Sequence, residues 1–464
     1  MSNKFERRYG LFTAICMVVG IVIGSGVFFK AQEILEKTGG NMPLGIIAWI
    51  IGGLVMLSCV LAFAIMAQKY EKVNGVVDYA EATLGKNYAY FIGWFLSTFY
   101  YPTLTMALAW LSARYTLVFV TSVNPDFPLM IPAAEGGCIL GPECMVLAMM
   151  YLILAFSVNA LSPKLAGKLQ VSATMIKLVP LGLMAIVGIT YGIITGGLAH
   201  NFTTPASVHS VVGNPFLASV CSTAFAYEGW IIATSINSEL KDSKRNLPIA
   251  LIAGCLIIIA VYVLYFVGVA GGATNQELID HGATIAFTNV FGNVFGNILN
   301  LFVAISCLGT LNGLMLGCSR GAYSLAARNE GPAAHIFKTI DSDTNMATNS
   351  SIFGVVVCAV WFVYFFCSNL AGMWKGFLVF DPTELPILTT YALYIPIFIA
   401  WIIKAKDESI LRRIVVPAIA VIGSSFMIFA TVFAHGIACI WYLIVFVVVM
   451  FVGMMLKNPK EKTE

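Results

Sequence analysis

Apolar residues occur in long runs that are separated by short polar breaks along almost the whole chain. A bilayer core about 30 Å thick needs roughly 20 apolar residues per helix, and runs of that length recur throughout. The pattern predicts an all-α integral membrane protein with about twelve spans, at residues 10–34, 43–67, 88–120, 144–160, 169–195, 213–238, 248–271, 290–327, 348–368, 386–404, 412–434 and 437–456. The first run is too long for a cleavable signal peptide, so we expect it to remain as a helix.

Composition agrees with this pattern and excludes an ordinary soluble protein. Of the 464 residues, 59% are hydrophobic and only 11% are charged, whereas soluble domains carry about 25% charged residues. No stretch remains for a sizeable soluble domain, so we predict one transmembrane domain over residues 1–464. The basic residues lie in short clusters between the apolar runs, which indicates a lipid bilayer and not a nucleic acid as the partner.

The lysines and arginines between the runs are distributed unequally over the two sides of the membrane. An even number of spans places both termini on one side, and most of the basic residues, such as Lys72, Lys244 and Arg413, fall on that side. The opposite side has only Lys30, Lys37, Lys375 and, near a span end, Arg114. Cytoplasmic connections are enriched in Lys and Arg. We therefore expect both termini in the cytoplasm and the chain in a plasma or inner membrane.

Two of the predicted spans are interrupted near their middle. The first contains Gly20-Ile-Val-Ile-Gly24-Ser25-Gly26, and each glycine weakens a helix by roughly 1 kcal/mol relative to alanine. The sixth contains Glu228-Gly229 at a similar depth. Close packing of small residues would explain the first break alone, but not a second one in the corresponding position. Because these spans begin two halves, 10–195 and 213–404, the pattern predicts an inverted repeat followed by two extra helices at 412–456.

Two ionisable residues lie deep inside predicted spans. Lys177 is about eight residues into the fifth span, roughly 12 Å from its end, and such residues usually face the interior and mark a pathway. The alternative is an anchoring lysine that extends to the membrane surface. Glu228 either caps free N–H groups of the broken helix or lies beside a substrate, and both roles stay open. Arg114 and Arg320 lie nearer helix ends, so we expect them to be anchors.

No pattern typical of an enzyme occurs in the sequence. It contains no G-x-x-x-x-G-K-[ST] and no H-E-x-x-H, and its five histidines lie in loops or near span ends, far from Ser25. We therefore expect no catalytic residue, metal or cofactor, and no ATP-driven transport within this chain. The eleven cysteines lie mostly within apolar runs. Cys138 and Cys144 flank a predicted outer loop, where a disulfide is an open alternative.

Four stretches of the chain together resemble a known family of membrane proteins. They are Gly20 to Phe28, Gln170 to Lys177, Phe225 to Trp230, and Asn312 to Arg320 with its continuation to Gly331. With these stretches the chain resembles the amino acid-polyamine-organocation (APC) superfamily, and within it the L-type amino-acid transporter (LAT) family with its bacterial serine/threonine and alanine/serine/cysteine exchangers. The resemblance implies a LeuT-like fold of five-plus-five inverted repeats with discontinuous helices 1 and 6.

The resemblance also implies one amino-acid site between the first and sixth spans. Backbone N–H groups around Ser25 and Gly26 match those that hold the substrate carboxylate at a helix end, where the helix dipole favours an anion. Carbonyl groups of three residues match those that receive the substrate ammonium. The implied substrate-binding residues are Val22, Gly24, Ser25, Gly26, Phe225 and Glu228.

Two further residues carry implied roles in gating and coupling. Phe225 matches an aromatic gate over the bound substrate, and Lys177 matches a lysine that occupies a sodium position of related carriers. The resemblance therefore implies secondary active transport of amino acids, most simply sodium-independent exchange of neutral ones, with no accessory subunit evident. Glu228 replaces a small residue of many animal members, which keeps a cationic amino acid or polyamine antiporter, or a proton symporter, as an alternative. An amino-acid sensor (transceptor) of the same fold is the alternative of another class.

Overall fold

The computed structural model describes Arg7 and residues 9–70, 74–129, 141–206 and 214–457. In these ranges, eleven helices are long and apolar enough to cross a membrane, and a bent pair of shorter helices completes a twelfth span. The predicted all-α architecture with about twelve spans is therefore confirmed.

The spans are numbered in chain order, and each is a single helix except where a break divides it. Their bounds are Leu11–Val22 with Gly26–Lys37 (span 1), Met42–Lys69 (span 2), Lys86–Val123 (span 3), Pro142–Leu161 (span 4), Lys164–Thr195 (span 5), Pro215–Asn237 (span 6), Ser243–Gly272 (span 7), Asn293–Ala326 (span 8), Thr348–Leu370 (span 9), Pro386–Lys404 (span 10), Leu411–His435 (span 11) and Ala438–Leu456 (span 12). Short helices between them cover Gly75–Leu84, Gly197–Thr203, Asn275–His281, Ala283–Phe291 and Ala334–Phe337.

The start of span 5 shows why hydropathy misplaces some helix ends. The apolar pattern predicts a start at residue 169, whereas the helix already begins at Pro163, one residue before the span bound given above. Ser162 caps it, because its side chain accepts a hydrogen bond from the backbone N–H of Leu165. A Ser cap followed by Pro at the first helical position is a strong helix start. The polar first turns of this helix are therefore fixed by capping and not by apolar content.

Spans 1 and 6 are both broken, as predicted. The two halves of span 1 meet at a 41° bend after Val22. The α-helix of span 6 ends at Tyr227, Gly229 has a φ of +102°, and a 3-10 helix follows over Trp230–Glu239. Only glycine adopts such a positive φ readily, so Gly229 fixes the place of this break. The first half of span 1 contacts spans 5, 7 and 8, and the second half contacts span 6.

Arg320, near the end of span 8, is not the membrane anchor that its position in the sequence predicts. Its side chain is only 2% exposed, and its Nε donates a hydrogen bond of 2.8 Å to Glu239 Oε1. The backbone of Glu239 and Lys241 in turn pairs with Tyr9, just before span 1. The ion pair therefore joins span 8 to the end of span 6, on the side of the membrane where the chain ends lie.

The orientation of this fold in the membrane can be tested with two exposed positions on opposite sides. We expect Lys244→Cys to react with a membrane-impermeant maleimide only from the cytoplasm, and Asp126→Cys only from outside, because basic connections stay in the cytoplasm. Both side chains are exposed. The background for both variants is Cys138→Ser with Cys367→Ser, because the other nine cysteines are all buried. Labelling from the opposite sides would reverse the predicted topology.

Candidate functional site

The breaks of spans 1 and 6 face each other across a cavity of about 330 Å³. All six residues that the sequence analysis assigns to a substrate site line this cavity, together with apolar side chains from spans 3 and 8. The lining residues are Ile21, Val22, Gly24, Ser25, Gly26, Leu104, Leu108, Phe225, Ala226, Glu228, Gly229, Thr310 and Leu314. The structure therefore brings the six together, and their role in binding stays a prediction.

The second half of span 1 directs its amino-terminal end at the cavity. This helix begins at Gly26, and the preceding residue, Ser25, makes no capping hydrogen bond with its side chain. The first N–H groups of a helix have no partner within the helix, and the helix dipole makes this end positive. The arrangement is therefore suited to bind an anionic group such as a carboxylate.

Lys177 does not line the cavity but lies directly behind the break of span 1. Its ammonium donates hydrogen bonds to the carbonyl oxygens of Gly20, at 2.8 Å, and Ile23, at 2.5 Å. It also lies 3.1 Å from the hydroxyl oxygen of Thr310. The side chain is fully buried, so it does not extend to a membrane surface as an anchoring lysine would. Lys177 instead joins span 5 to carbonyl groups that the break exposes.

Span 8 supplies two hydroxyl groups to the same break. Ser306 Oγ donates to the carbonyl of Gly24 at 3.0 Å, and Thr310 Oγ1 lies 3.1 Å from the carbonyl of Gly20. Neither residue is among those predicted from the sequence. Their spacing of four places them on one face of a helix, so a pair of polar residues in an apolar span is the signal that identifies them.

Span 7 contributes a hydroxyl group that bridges the two breaks. The hydroxyl of Tyr262 lies 3.1 Å from the carbonyl oxygen of Val22 and 2.9 Å from that of Ala226. Tyr262 is fully buried and was also missed. A carbonyl oxygen has two lone pairs, so the carbonyl of Val22 can accept one further hydrogen bond beside that of Tyr262.

Glu228 is held by a tyrosine from span 3. Its Oε2 accepts a hydrogen bond of 2.5 Å from the hydroxyl of Tyr100, and that hydroxyl lies 3.2 Å from the backbone N–H of Gly229, which donates to it. Tyr100 therefore accepts a hydrogen bond from the free N–H of Gly229 and links it to Glu228, and the capping role of Glu228 stays a prediction. Because Glu228 also lines the cavity, contact with a substrate stays open.

An aromatic and charged layer covers the cavity on the side away from the chain ends. The ring of Phe225 lies 5.9 Å from that of Phe29, and Lys30 Nζ lies 5.6 Å from the centre of the Phe225 ring. Such an ammonium is attracted to the negative face of an aromatic ring. Phe225, the predicted gate, therefore lies between the cavity and a buried lysine.

Lys30 is paired with carboxylates from distant parts of the chain. It is 5% exposed, lies 2.5 Å from Glu33, and forms an ion pair with Glu384, which precedes span 10. His435 Nε2, at the end of span 11, is 3.0 Å from Glu384 Oε2. Burial alone would raise the pKa of Glu384, but the positive charges of Lys30 and His435 lower it below its usual value. Glu384 therefore stays ionised and holds spans 1, 10 and 11 together.

The described residues offer neither a cluster of metal ligands nor a disulfide at this site. Among the residues that the structure describes, no three His, Cys, Asp or Glu side chains are grouped so that they could hold a metal ion. Cys138 lies outside the described residues, so a disulfide with Cys144 stays an open alternative.

Comparisons with known proteins agree on one class of protein. A family model described as "Amino acid permease" matches residues 9–456. The serine/threonine exchanger SteT of Bacillus subtilis (strain 168) is 25% identical over 448 residues, which are 94% of each chain. The Asc-type amino acid transporter 1 of Mus musculus is 27% identical over 332 residues, 71% of this chain and 60% of that protein. The crystal structure of MhsT in complex with L-phenylalanine superposes with a TM-score of 0.56 at 14% identity, covering 96% of this chain and 99% of that one, and shows a shared LeuT-like fold.

Gly26 allows the two breaks to approach, and Gly26→Ala tests whether the cavity depends on that approach. An ideal Cβ at Gly26 would lie 2.8 Å from Ala226 Cα, so spans 1 and 6 must separate. Overpacking costs about 1–3 kcal/mol, and we expect equilibrium binding of labelled serine to weaken by about fivefold or more. The control is Gly182→Ala in span 5, where a Cβ meets nothing within 4 Å. Equal affinities of both variants and the wild type would remove Gly26 from the site.

Proposed function

This chain belongs to the amino acid permease family, and on that premise we propose that it exchanges small neutral amino acids across the membrane without sodium. The names of the serine/threonine exchanger and the Asc-type amino acid transporter to which it is similar support this class of substrate. The observation that carries the proposal is the pair of broken helices around one cavity, with helix ends of opposite polarity.

The ends of the broken helices are complementary to the common part of every amino acid. The amino-terminal end at Ser25 and Gly26 is positive and binds the carboxylate of the substrate. The carbonyl groups of Val22, Phe225 and Glu228 lie at carboxyl-terminal ends, which are negative, and receive the ammonium. Discontinuous spans of this kind bind substrates near the middle of the bilayer. The backbone therefore recognises the zwitterion, and the remaining walls select the side chain.

Those walls favour a small neutral side chain. The empty space between these walls, including the part open to solvent, is only about 330 Å³, which limits the ligand to a small one. Leu104, Leu108 and Leu314 line it together with the hydroxyl group of Thr310. Glu228 is the carboxylate that a cationic substrate would need, and Tyr100 already donates a hydrogen bond to it. This contact favours neutral substrates over the cationic amino acids and polyamines of the alternative proposal.

Lys177 supports independence from sodium. The Lys177 ammonium supplies a positive charge that contacts the carbonyl oxygens of Gly20 and Ile23. No cation therefore has to bind and leave in each transport cycle. Exchange then needs only a substrate on each side of the membrane.

The remaining features of the proposal follow from the family and the charge distribution. We place the chain in a plasma or inner membrane with both termini in the cytoplasm, as one transporter domain over residues 1–464. A sensor with the same cavity would bind the same amino acids but carry little flux. Measurement of flux therefore separates these two functions.

Exchange in proteoliposomes tests the proposed function directly. Vesicles loaded with unlabelled serine should take up labelled serine from sodium-free buffer much faster than vesicles without internal amino acid, because each inward step requires an outward one. Unlabelled threonine and alanine should compete, whereas arginine and putrescine should not. Binding without uptake would indicate a sensor. Strict dependence on sodium or on a proton gradient would contradict the exchange mechanism.

Lys177 variants test whether its ammonium is needed for transport. Lys177→Ala leaves two buried carbonyl groups without their charged donor, and a hydrogen bond to a charged group contributes about 1.5–3 kcal/mol. We expect the exchange rate to fall by about tenfold or more, with serine affinity reduced less. Lys177→Arg should also be impaired, since a planar guanidinium does not replace a compact ammonium.

Lys168→Ala is the matched control for these variants. Lys168 lies on the same span but is exposed, so its removal should leave exchange unchanged at equal protein abundance. Full exchange activity of Lys177→Ala or Lys177→Arg would show that Lys177 has only a packing role.

A further inference from the structure

Four basic side chains lie around the point at which span 1 enters the membrane, and together they form what is called the basic surface below. They are Lys164 in the first turn of span 5, Lys241 in the connection after span 6, and Lys244 and Arg245 in the first turn of span 7. We propose that the basic surface binds the headgroup of an anionic phospholipid, in the leaflet on the side of the membrane where the chain ends lie. This inference is independent of what the chain transports.

Tyr9, just before span 1, brings the parts of the basic surface together. Its backbone N–H donates to the carbonyl of Glu239 at 3.1 Å, and its carbonyl accepts from the N–H of Lys241 at 2.9 Å. Its ring packs against Gly167 of span 5, where a Cβ would lie 3.1 Å from Tyr9 Cε1. Lys164 is three residues before Gly167, on the same side of that helix. Lys164 and Lys241 therefore lie on the two sides of Tyr9.

The charges of the basic surface are not neutralised within the part of the chain that the structure describes. All four side chains are exposed, and none forms a salt bridge with another described residue. Asp242 is the one exposed acidic residue in the segment 239–246, so a net positive charge remains.

Basic side chains elsewhere on the same side of the membrane have carboxylate partners. These pairs are Lys69 with Asp407, Arg328 with Asp78, Arg412 with Glu408, and Lys457 with Glu330. Orientation in the membrane requires basic residues on this side but does not require that they be unpaired. The concentration of unpaired charges around Tyr9 therefore indicates an anionic partner from outside the protein.

The helix surfaces next to these charges are apolar and exposed, which favours a lipid over a free anion. Leu165 and Leu169 of span 5 and Ile249 of span 7 are exposed within helices that cross the membrane. Phe12, near the start of span 1, is 62% exposed, and this half of span 1 contacts both spans 5 and 7. The acyl chains of a phospholipid can therefore lie along these apolar side chains while its headgroup lies among the basic ones.

The composition of the basic surface suits a phosphate group with net negative charge. Lysines bind phosphate as point charges, and the guanidinium of Arg245 can donate two parallel hydrogen bonds to it. Basic clusters next to membrane spans attract anionic lipids. The ammonium of a phosphatidylcholine headgroup offsets its phosphate, so that lipid gains less. A headgroup that contacts both Lys164 and Lys241 joins the two sides of Tyr9 and becomes part of the closure on this side of the membrane.

Removal of two charges from the basic surface tests the site. Affinity for phosphatidylglycerol is measured by native mass spectrometry of the purified full chain in detergent, with phosphatidylcholine as the reference lipid without net charge. We expect the wild type to bind phosphatidylglycerol about tenfold more tightly than phosphatidylcholine, and Lys241→Gln with Lys244→Gln to lower the phosphatidylglycerol affinity by about tenfold. The control is Lys86→Gln with Lys406→Gln, which removes the same charge at exposed positions on the same side of the membrane. It should change the affinity by less than about twofold.

Lys164→Gln is a second variant, on the other side of Tyr9, and it decides the outcome if the double variant does not fold. Because one headgroup contacts both sides, we expect it to lower the phosphatidylglycerol affinity by about threefold or more. Equal affinities of these variants and the control, or equal wild-type affinities for the two lipids, would overturn the site. Binding of inorganic phosphate with the same dependence on Lys241 and Lys244 would identify a site for a free anion and also overturn the proposal. None of these measurements requires transport, so they stand apart from the test of the proposed function.

Discussion

The structure depends on how the carbonyl groups at the break of span 1 are satisfied. An unpaired backbone group in the hydrocarbon region costs several kcal/mol, so a helix can be broken there only if other groups replace the lost hydrogen bonds. Lys177, Ser306, Thr310 and Tyr262 provide those groups from spans 5, 8 and 7. The break is therefore stable only within this particular arrangement of helices, and the arrangement is fixed in turn by the break.

The same contacts explain why a site forms at this place. Side chains behind span 1 satisfy these carbonyl groups, so the N–H groups at the start of its second half face the cavity. On the opposite side of the cavity, Tyr100 holds Glu228 at the break of span 6. A buried ammonium is costly by itself, and the carbonyl oxygens around Lys177 offset that cost. The polar backbone groups of span 1 thus fall into two sets. The carbonyl groups at the break hold the fold together, and the N–H groups of the second half remain available to a ligand.

The sequence predicts the local features of this arrangement but not its long-range ion pairs. The apolar runs and the glycines at both breaks are local features of the sequence. The spans and the interrupted helices can therefore be predicted from it. Lys30 and Glu384 pair across 354 positions, and Arg320 pairs with Glu239 across 81. Nothing in the sequence next to these residues indicates their partners. Arg320 was therefore mistaken for an anchor, and Lys30 was recognised only as a charge on the outer side.

These long-range pairs close the molecule on both sides of the central cavity, and both closures involve span 1. On one side, Lys30 in its second half pairs with Glu384 over the Phe225 ring. On the other side, Tyr9, just before its first half, pairs with the backbone beside the Arg320–Glu239 ion pair. A continuous helix would transmit the motion of one end to the other, whereas a break permits each half to move alone. The break that creates the binding groups therefore also allows one closure to open while the other stays shut, which is what exchange through a single central cavity requires.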